Sequence, residues 1–115
     1  MRILIVDDDA LSREMAAAIL EEIGHECLHA ENGIEALEQL AGEPTIELVI
    51  SDMNMPLLSG LELFEELRSQ GLGIPFVLLT GDDPQPLLTQ APGLAGCLLK
   101  DASLEETLPA LVGRL

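Results

Sequence analysis

The chain has 115 residues, 48% of them hydrophobic, with 21 acidic against 5 basic side chains and a formal charge of −16. That length suits one domain with a real core, and that charge disfavours direct contact with nucleic acid or an anionic membrane, because phosphates are repelled. No apolar run nears the roughly 20 residues of a membrane span, no small-residue cleavage site follows the short apolar start, and Cys27 and Cys97 make no disulfide framework, so a cytoplasmic protein is expected.

Along the chain, short apolar runs alternate with helical periodicities. Ile3 to Val6 is a β-branched run, and Leu11, Met15, Ile19 and Ile23 then recur every fourth residue on one helix face. Glu26 to Ala30 reads as a second strand. Asn32-Gly33 is a turn signal, with Ile34, Leu37 and Leu40 following at helical spacing. Ile46 to Ile50 reads as a third, fully apolar strand, and Gly60 precedes the helical set Leu61, Phe64 and Leu67. Pro75 opens a fourth strand, Phe76 to Leu79. Residues 84–91 make a poor helix, with Pro84 and Pro86 at its start and Pro92 at its end. Gly96 precedes a fifth strand, Cys97-Leu98-Leu99. Ser103-Leu104-Glu105-Glu106 has the capping-box pattern, and Leu104, Leu108, Leu111 and Leu115 continue a helical face.

Short apolar strands alternating with helices predict an α/β fold: a doubly wound, five-stranded parallel sheet covered on both faces, a three-layer sandwich. The flavodoxin-like strand order 2-1-3-4-5 suits five strands; it is a general precedent, with a chemotaxis receiver among its known examples. In such sheets ligands sit at the carboxyl ends of the strands. Asp7, Asp8 and Asp9 follow the first strand, Ser51-Asp52-Met53-Asn54-Met55-Pro56 the third, Thr80-Gly81 the fourth and Lys100 the fifth. Asp7, Asp8 and Asp52 would crowd three carboxylates at neighbouring strand ends, where like charges repel unless a cation bridges them. Hard oxygen donors with room for water suit Mg²⁺. Lys100, the only lysine, would neutralise the cluster or hold a phosphoryl oxygen. Taken singly, each signal has a plain alternative: an Asp cap, a turn, a strand-end hydroxyl or a surface ion pair. Together they converge on one sheet edge.

These pieces resemble the receiver domain of two-component response regulators, over essentially residues 1–115. The match rests on Ile3-Leu4-Ile5-Val6-Asp7-Asp8-Asp9, Glu31-Asn32-Gly33-Ile34-Glu35-Ala36-Leu37, Ile50-Ser51-Asp52-Met53-Asn54-Met55-Pro56, Leu78-Leu79-Thr80-Gly81 and Leu98-Leu99-Lys100. The resemblance implies a CheY-like phosphorelay protein rather than an enzyme acting on an outside substrate. Asp52 would accept a phosphoryl group from a sensor histidine kinase or phosphotransfer protein. Mg²⁺ would be held by Asp8 and Asp52, the backbone carbonyl of Asn54 and, through water, Asp7. Thr80 and Lys100 would take phosphoryl oxygens, and the output would be a changed surface read by a downstream protein. Asn54 and Asp82 stand where the phosphoryl lifetime is commonly tuned.

The sequence departs from the family pattern in several places. Cys97 replaces an aromatic residue common three positions before the lysine, and Asp101 replaces a common proline. Leu98-Leu99-Lys100-Asp101 resembles receivers joined to a helix-turn-helix DNA-binding output, so a stand-alone receiver and a piece of a longer regulator are both open. The prolines of the fourth helix, and Pro109 in the fifth, weigh against the conventional receiver dimer. Two other readings compete. One is a binding-only receiver that works without phosphorylation. The other is a small Mg²⁺-dependent phosphohydrolase using Asp7-Asp8-Asp9, for which the chain is short of a substrate-enclosing cap. A dinucleotide enzyme is excluded by the lack of G-x-G-x-x-G after the first strand.

Overall fold

The computed structural model describes all residues, 1–115. Its elements in chain order are β1 (Arg2–Val6), α1 (Ala10–Glu21), β2 (Glu26–Ala30), α2 (Gly33–Gly42), β3 (Leu48–Asp52), α3 (Gly60–Ser69), β4 (Phe76–Thr80), α4 (Gln85–Gln90), β5 (Gly96–Leu99) and α5 (Leu104–Val112). The five strands form one parallel sheet, as the alternating pattern predicts, in the flavodoxin-like order β2-β1-β3-β4-β5. The third strand starts two residues later than expected and runs through Asp52.

Side chains alternate across a strand, and here that alternation splits the core in two. Leu4, Val6, Val49, Phe76, Leu78 and Cys97 face one side, with Ala36 and Leu40 of α2 and Leu61, Leu63, Phe64 and Leu67 of α3. Ile3, Ile5, Leu48, Ile50, Val77 and Leu79 face the other, with Ala16, Ala17 and Leu20 of α1 and Leu108, Leu111 and Val112 of α5. The β3 and β4 residues are buried from end to end, which is why they read as continuous apolar runs.

Two local expectations need correction. The face marked by Leu11, Met15 and Ile23 is largely exposed, and α1 packs instead through the smaller Ala16 and Ala17 with Leu20. A fourfold spacing found the helix but not its inner side, because alanines carry little periodic signal. The capping box expected at Ser103 does not form: Asp101 takes both the Ser103 N–H (2.9 Å) and the Ser103 hydroxyl (2.5 Å) on its Oδ1. A complete capping box closes instead at α3, between Ser59 and Glu62. The two cysteines sit on β2 and β5, the opposite edges, and both are free.

One residue is conformationally strained. Leu57, in the β3–α3 loop, has φ 70° and is 84% exposed. An L-residue held in the left-handed region costs roughly 1–2 kcal/mol. Because its side chain packs on little, Leu57→Gly is expected to stabilise the protein by about 0.5–1 kcal/mol, after the extra unfolded-state entropy of glycine. A higher urea midpoint at unchanged slope is the readout; an unchanged or lower midpoint means Leu57 makes contacts that offset its strain.

Candidate functional site

The strand order reverses direction between β1 and β3, leaving a crevice at their carboxyl ends. Asp7 follows β1 directly and is 3% exposed; Asp52 ends β3 and is 8% exposed. Asp7, Asp8 and Asp52 each bring a carboxylate oxygen to within 4.8 Å of the others. Asp8 is the exposed member and closes the group on the solvent side.

Asp7 is held at every polar atom. Its N–H donates to Ala30 O at 3.1 Å. Oδ1 accepts the Asp9 N–H at 3.0 Å, and Oδ2 accepts Lys100 Nζ at 2.7 Å. Its carbonyl accepts Arg13 Nη1 at 2.8 Å. Arg13 is a site residue that the motif pattern does not single out. Its available signal is its place in the first turns of α1, six residues past Asp7, in a chain with only five basic side chains. Asp9 then caps α1 by accepting the Leu11 N–H.

Lys100 reaches across the crevice from the end of β5, and its Nζ lies 3.3 Å from Asp52 Oδ1. Burial pulls the Lys100 ammonium down, but the Asp7 hydrogen bond and the Asp52 and Asp7 charges more than offset that, so its pKa is raised. The Asp52 carboxyl is pushed above the ordinary aspartate range. Burial is the main cause, Lys100 opposes it, and the Asp7 and Asp8 charges reinforce it. Asp52 is thus a carboxylate under electrostatic load, with one cation nearby.

Thr80 ends β4 and is buried; its Oγ1 accepts the Asp82 N–H at 3.2 Å. Gly81 beside it faces open space. Asn54 lies exposed in the β3–α3 loop, outside the carboxylate triad. The closest packing in the site is at Gly60, the first residue of α3. Its N–H donates to Met53 O at 2.9 Å, and a Cβ placed there would lie 2.4 Å from the Asp52 carbonyl oxygen. The sequence marks Gly60 only as a helix start; its contact with the Asp52 backbone has no sequence signature.

The donor set suits a small divalent cation. Three carboxylates, all hard oxygen donors, converge on one point that is open to solvent through Asp8. A cation there would relieve the mutual repulsion that helps raise Asp52.

Comparison with known proteins gives one consistent answer. The model of the response regulator receiver domain family matches residues 3–112. The sensor histidine kinase RcsC of Salmonella typhimurium is 35% identical over 91% of this chain, and the chain spans only 11% of that kinase's length. Chemotaxis protein CheY1 of Helicobacter pylori is 31% identical over 98% of both chains. Among solved structures, the response regulator TrrA of Thermotoga maritima, in complex with Mg²⁺-BeF, superposes with a TM-score of 0.86 at 32% identity, covering 99% of this chain and 98% of that one. No helix of this chain is long and apolar enough to cross a membrane.

Proposed function

This chain belongs to the response regulator receiver domain family, and on that premise we propose that residues 1–115 act as one receiver unit whose Asp52 accepts a phosphoryl group from a phosphohistidine on a sensor kinase or phosphotransfer protein. The observation that carries the reading is the position of Lys100, with Nζ 2.7 Å from Asp7 and 3.3 Å from Asp52. A lone cation aimed at a buried carboxylate cluster is what phosphoryl transfer requires of a protein, since positioning and charge neutralisation do most of the work.

In the transfer, an Asp52 carboxylate oxygen forms a bond to phosphorus as the donor's P–N bond breaks, and the electron pair returns to the imidazole nitrogen. In discharge, which is a separate step, a water oxygen bonds to phosphorus as the Asp52 O–P bond breaks; the carboxylate leaves with the electron pair and the water's proton passes to the phosphate or solvent, giving inorganic phosphate. Asp8 and Asp52, with the Asn54 carbonyl and Asp7 through water, would hold Mg²⁺. When bound, Mg²⁺ neutralises charge on the transferring group. Lys100 pairs with one phosphoryl oxygen and Thr80 donates its hydroxyl to another. Gly81 leaves room for the group and for water. The domain therefore works as a cytoplasmic switch, self-catalysing only its own loading and discharge, and hands its state to a downstream protein.

Incubation with Mg²⁺ and acetyl phosphate followed by intact-mass measurement tests this. Wild type is expected to carry one phosphate adduct, and Asp52→Asn none. An adduct that persists in Asp52→Asn would move the acceptor elsewhere. The absence of any adduct, with Mg²⁺ shown to bind, would favour a receiver that works by binding alone.

A further inference from the structure

Arg13 runs against ordinary preferences. It is the fourth residue of α1, near the end of the helix whose dipole opposes a positive charge. It makes no ion pair, in a chain with 21 acidic side chains. Its Nε is buried without a hydrogen-bond partner, which costs free energy. What the guanidinium does have is a bond from Nη1 to the Asp7 carbonyl, at 2.8 Å.

That carbonyl belongs to the peptide joining Asp7 to Asp8, two of the three clustered carboxylates. The Asp7 side chain is already fixed, since Oδ1 accepts the Asp9 N–H and Oδ2 accepts Lys100 Nζ. Asp8 differs. It is exposed, and its carboxylate accepts no hydrogen bond and makes no ion pair, so only the backbone aims it. A peptide unit is planar, so an anchor on its oxygen also fixes the Cα from which the Asp8 side chain departs. We propose that Arg13 is a positioning residue for the cation site: it holds the Asp7–Asp8 peptide so that the Asp8 carboxylate converges with those of Asp7 and Asp52. The proposal rests on the carboxylate cluster being a divalent-cation site, and not on Asp52 being the acceptor. The role has a sign that charge alone would reverse. Removing a positive charge beside the site should tighten cation binding, whereas removing a positioning bond should weaken it.

Calorimetric titration of the full chain with Mg²⁺ alone reads that sign without any phosphoryl donor. Arg13→Met keeps most of the aliphatic stem and is expected to weaken Mg²⁺ binding about tenfold, the lower end of the range for removing an outer partner of a metal ligand. Arg13→Lys keeps a cation and a donor of similar reach, and is expected to stay within about threefold of wild type. Adduct formation from acetyl phosphate should slow in Arg13→Met at limiting Mg²⁺ and return to the wild-type rate at saturating Mg²⁺, because Arg13 acts only through Asp8. Mg²⁺ binding to Arg13→Met that is as tight as wild type, or tighter, overturns the positioning role and leaves the cation site standing. A lysine variant as weak as the methionine one overturns the donated bond as its basis. If wild type binds no Mg²⁺, the role and the cation site fall together. Tenfold weakening in a protein that forms no Asp52 adduct supports the role of Arg13 and overturns the acceptor reading alone.

Discussion

Lys100→Met is expected to destabilise the metal-free protein by about 3–5 kcal/mol, the range for removing one partner of a buried ion pair. The lysine carries two ion pairs, to Asp7 and to Asp52, and its side chain is three-quarters buried. Without it, two buried carboxylates face each other and Asp8, and neither keeps an ion-pair partner. Methionine fills much of the same volume, so the loss is electrostatic rather than a cavity. That makes the deficit recoverable: saturating Mg²⁺ is expected to return a large part of it, because a cation bound only by the folded state stabilises it by mass action. Urea unfolding with and without Mg²⁺ measures both numbers. A small deficit, or one indifferent to Mg²⁺, would mean that Lys100 is a surface residue and not the counter-charge of the site.

The pH dependence has a sign that follows from the same groups. A raised lysine pKa means its stabilisation is fully present below the ordinary lysine value and is lost only as pH rises through the raised one, so at neutral pH Lys100 contributes fully. Asp52 is the opposite case. Its carboxyl is raised, so the folded state binds its proton more tightly than the unfolded chain, and stability from this group grows as pH falls into its titration range. Lys100 is the main influence opposing that shift. Its removal should therefore widen the window in which acid stabilises the site, and the gap between wild type and Lys100→Met should narrow on mild acidification without Mg²⁺.

How much of this was legible in the sequence depended on whether the signal was periodic, positional or spatial. The sheet was legible because β3 and β4 are buried along their whole length and read as unbroken apolar runs. The meeting of Asp7, Asp52 and Lys100 was legible because each stands at a strand end, and parallel strands bring their carboxyl ends to one edge. The inner side of α1 was not, since Ala16 and Ala17 bury little surface and give way to the larger but exposed Leu11 and Met15 in any periodicity count. Asp101 outcompeting the Ser103 cap was not legible either, because two hydroxyl-and-acid patterns overlapped within three residues and only the backbone decides between them. Arg13 and Gly60 escaped for another reason: both act on main-chain atoms, the Asp7 and Asp52 carbonyls, which have no letter in the sequence.

Gly60 supplies the second large effect. Gly60→Ala would put a methyl 2.4 Å from the Asp52 carbonyl oxygen and 2.6 Å from Leu78 Cδ2. Leu78 is fully buried, and the Asp52 carbonyl already accepts the Ser51 hydroxyl at 2.9 Å, so neither neighbour yields freely. Overpacking of this kind costs about 1–3 kcal/mol, and the upper half of that range is expected because one contact is backbone. The site should suffer more than the fold. The shift falls on the residue that carries the proposed acceptor carboxylate, and misplacement by about 1 Å can cost on the order of a hundredfold in rate. Gly42→Ala is the matched control: it lies in α2 with open space where the methyl would go, so both stability and phosphorylation should stay near wild type. Chemical denaturation and the rate of adduct formation from acetyl phosphate, measured on both variants, separate the two effects. If Gly60→Ala loads at the wild-type rate, the contact between α3 and the Asp52 backbone plays no part in placing the acceptor, and the end of β3 is positioned by its strand partners alone.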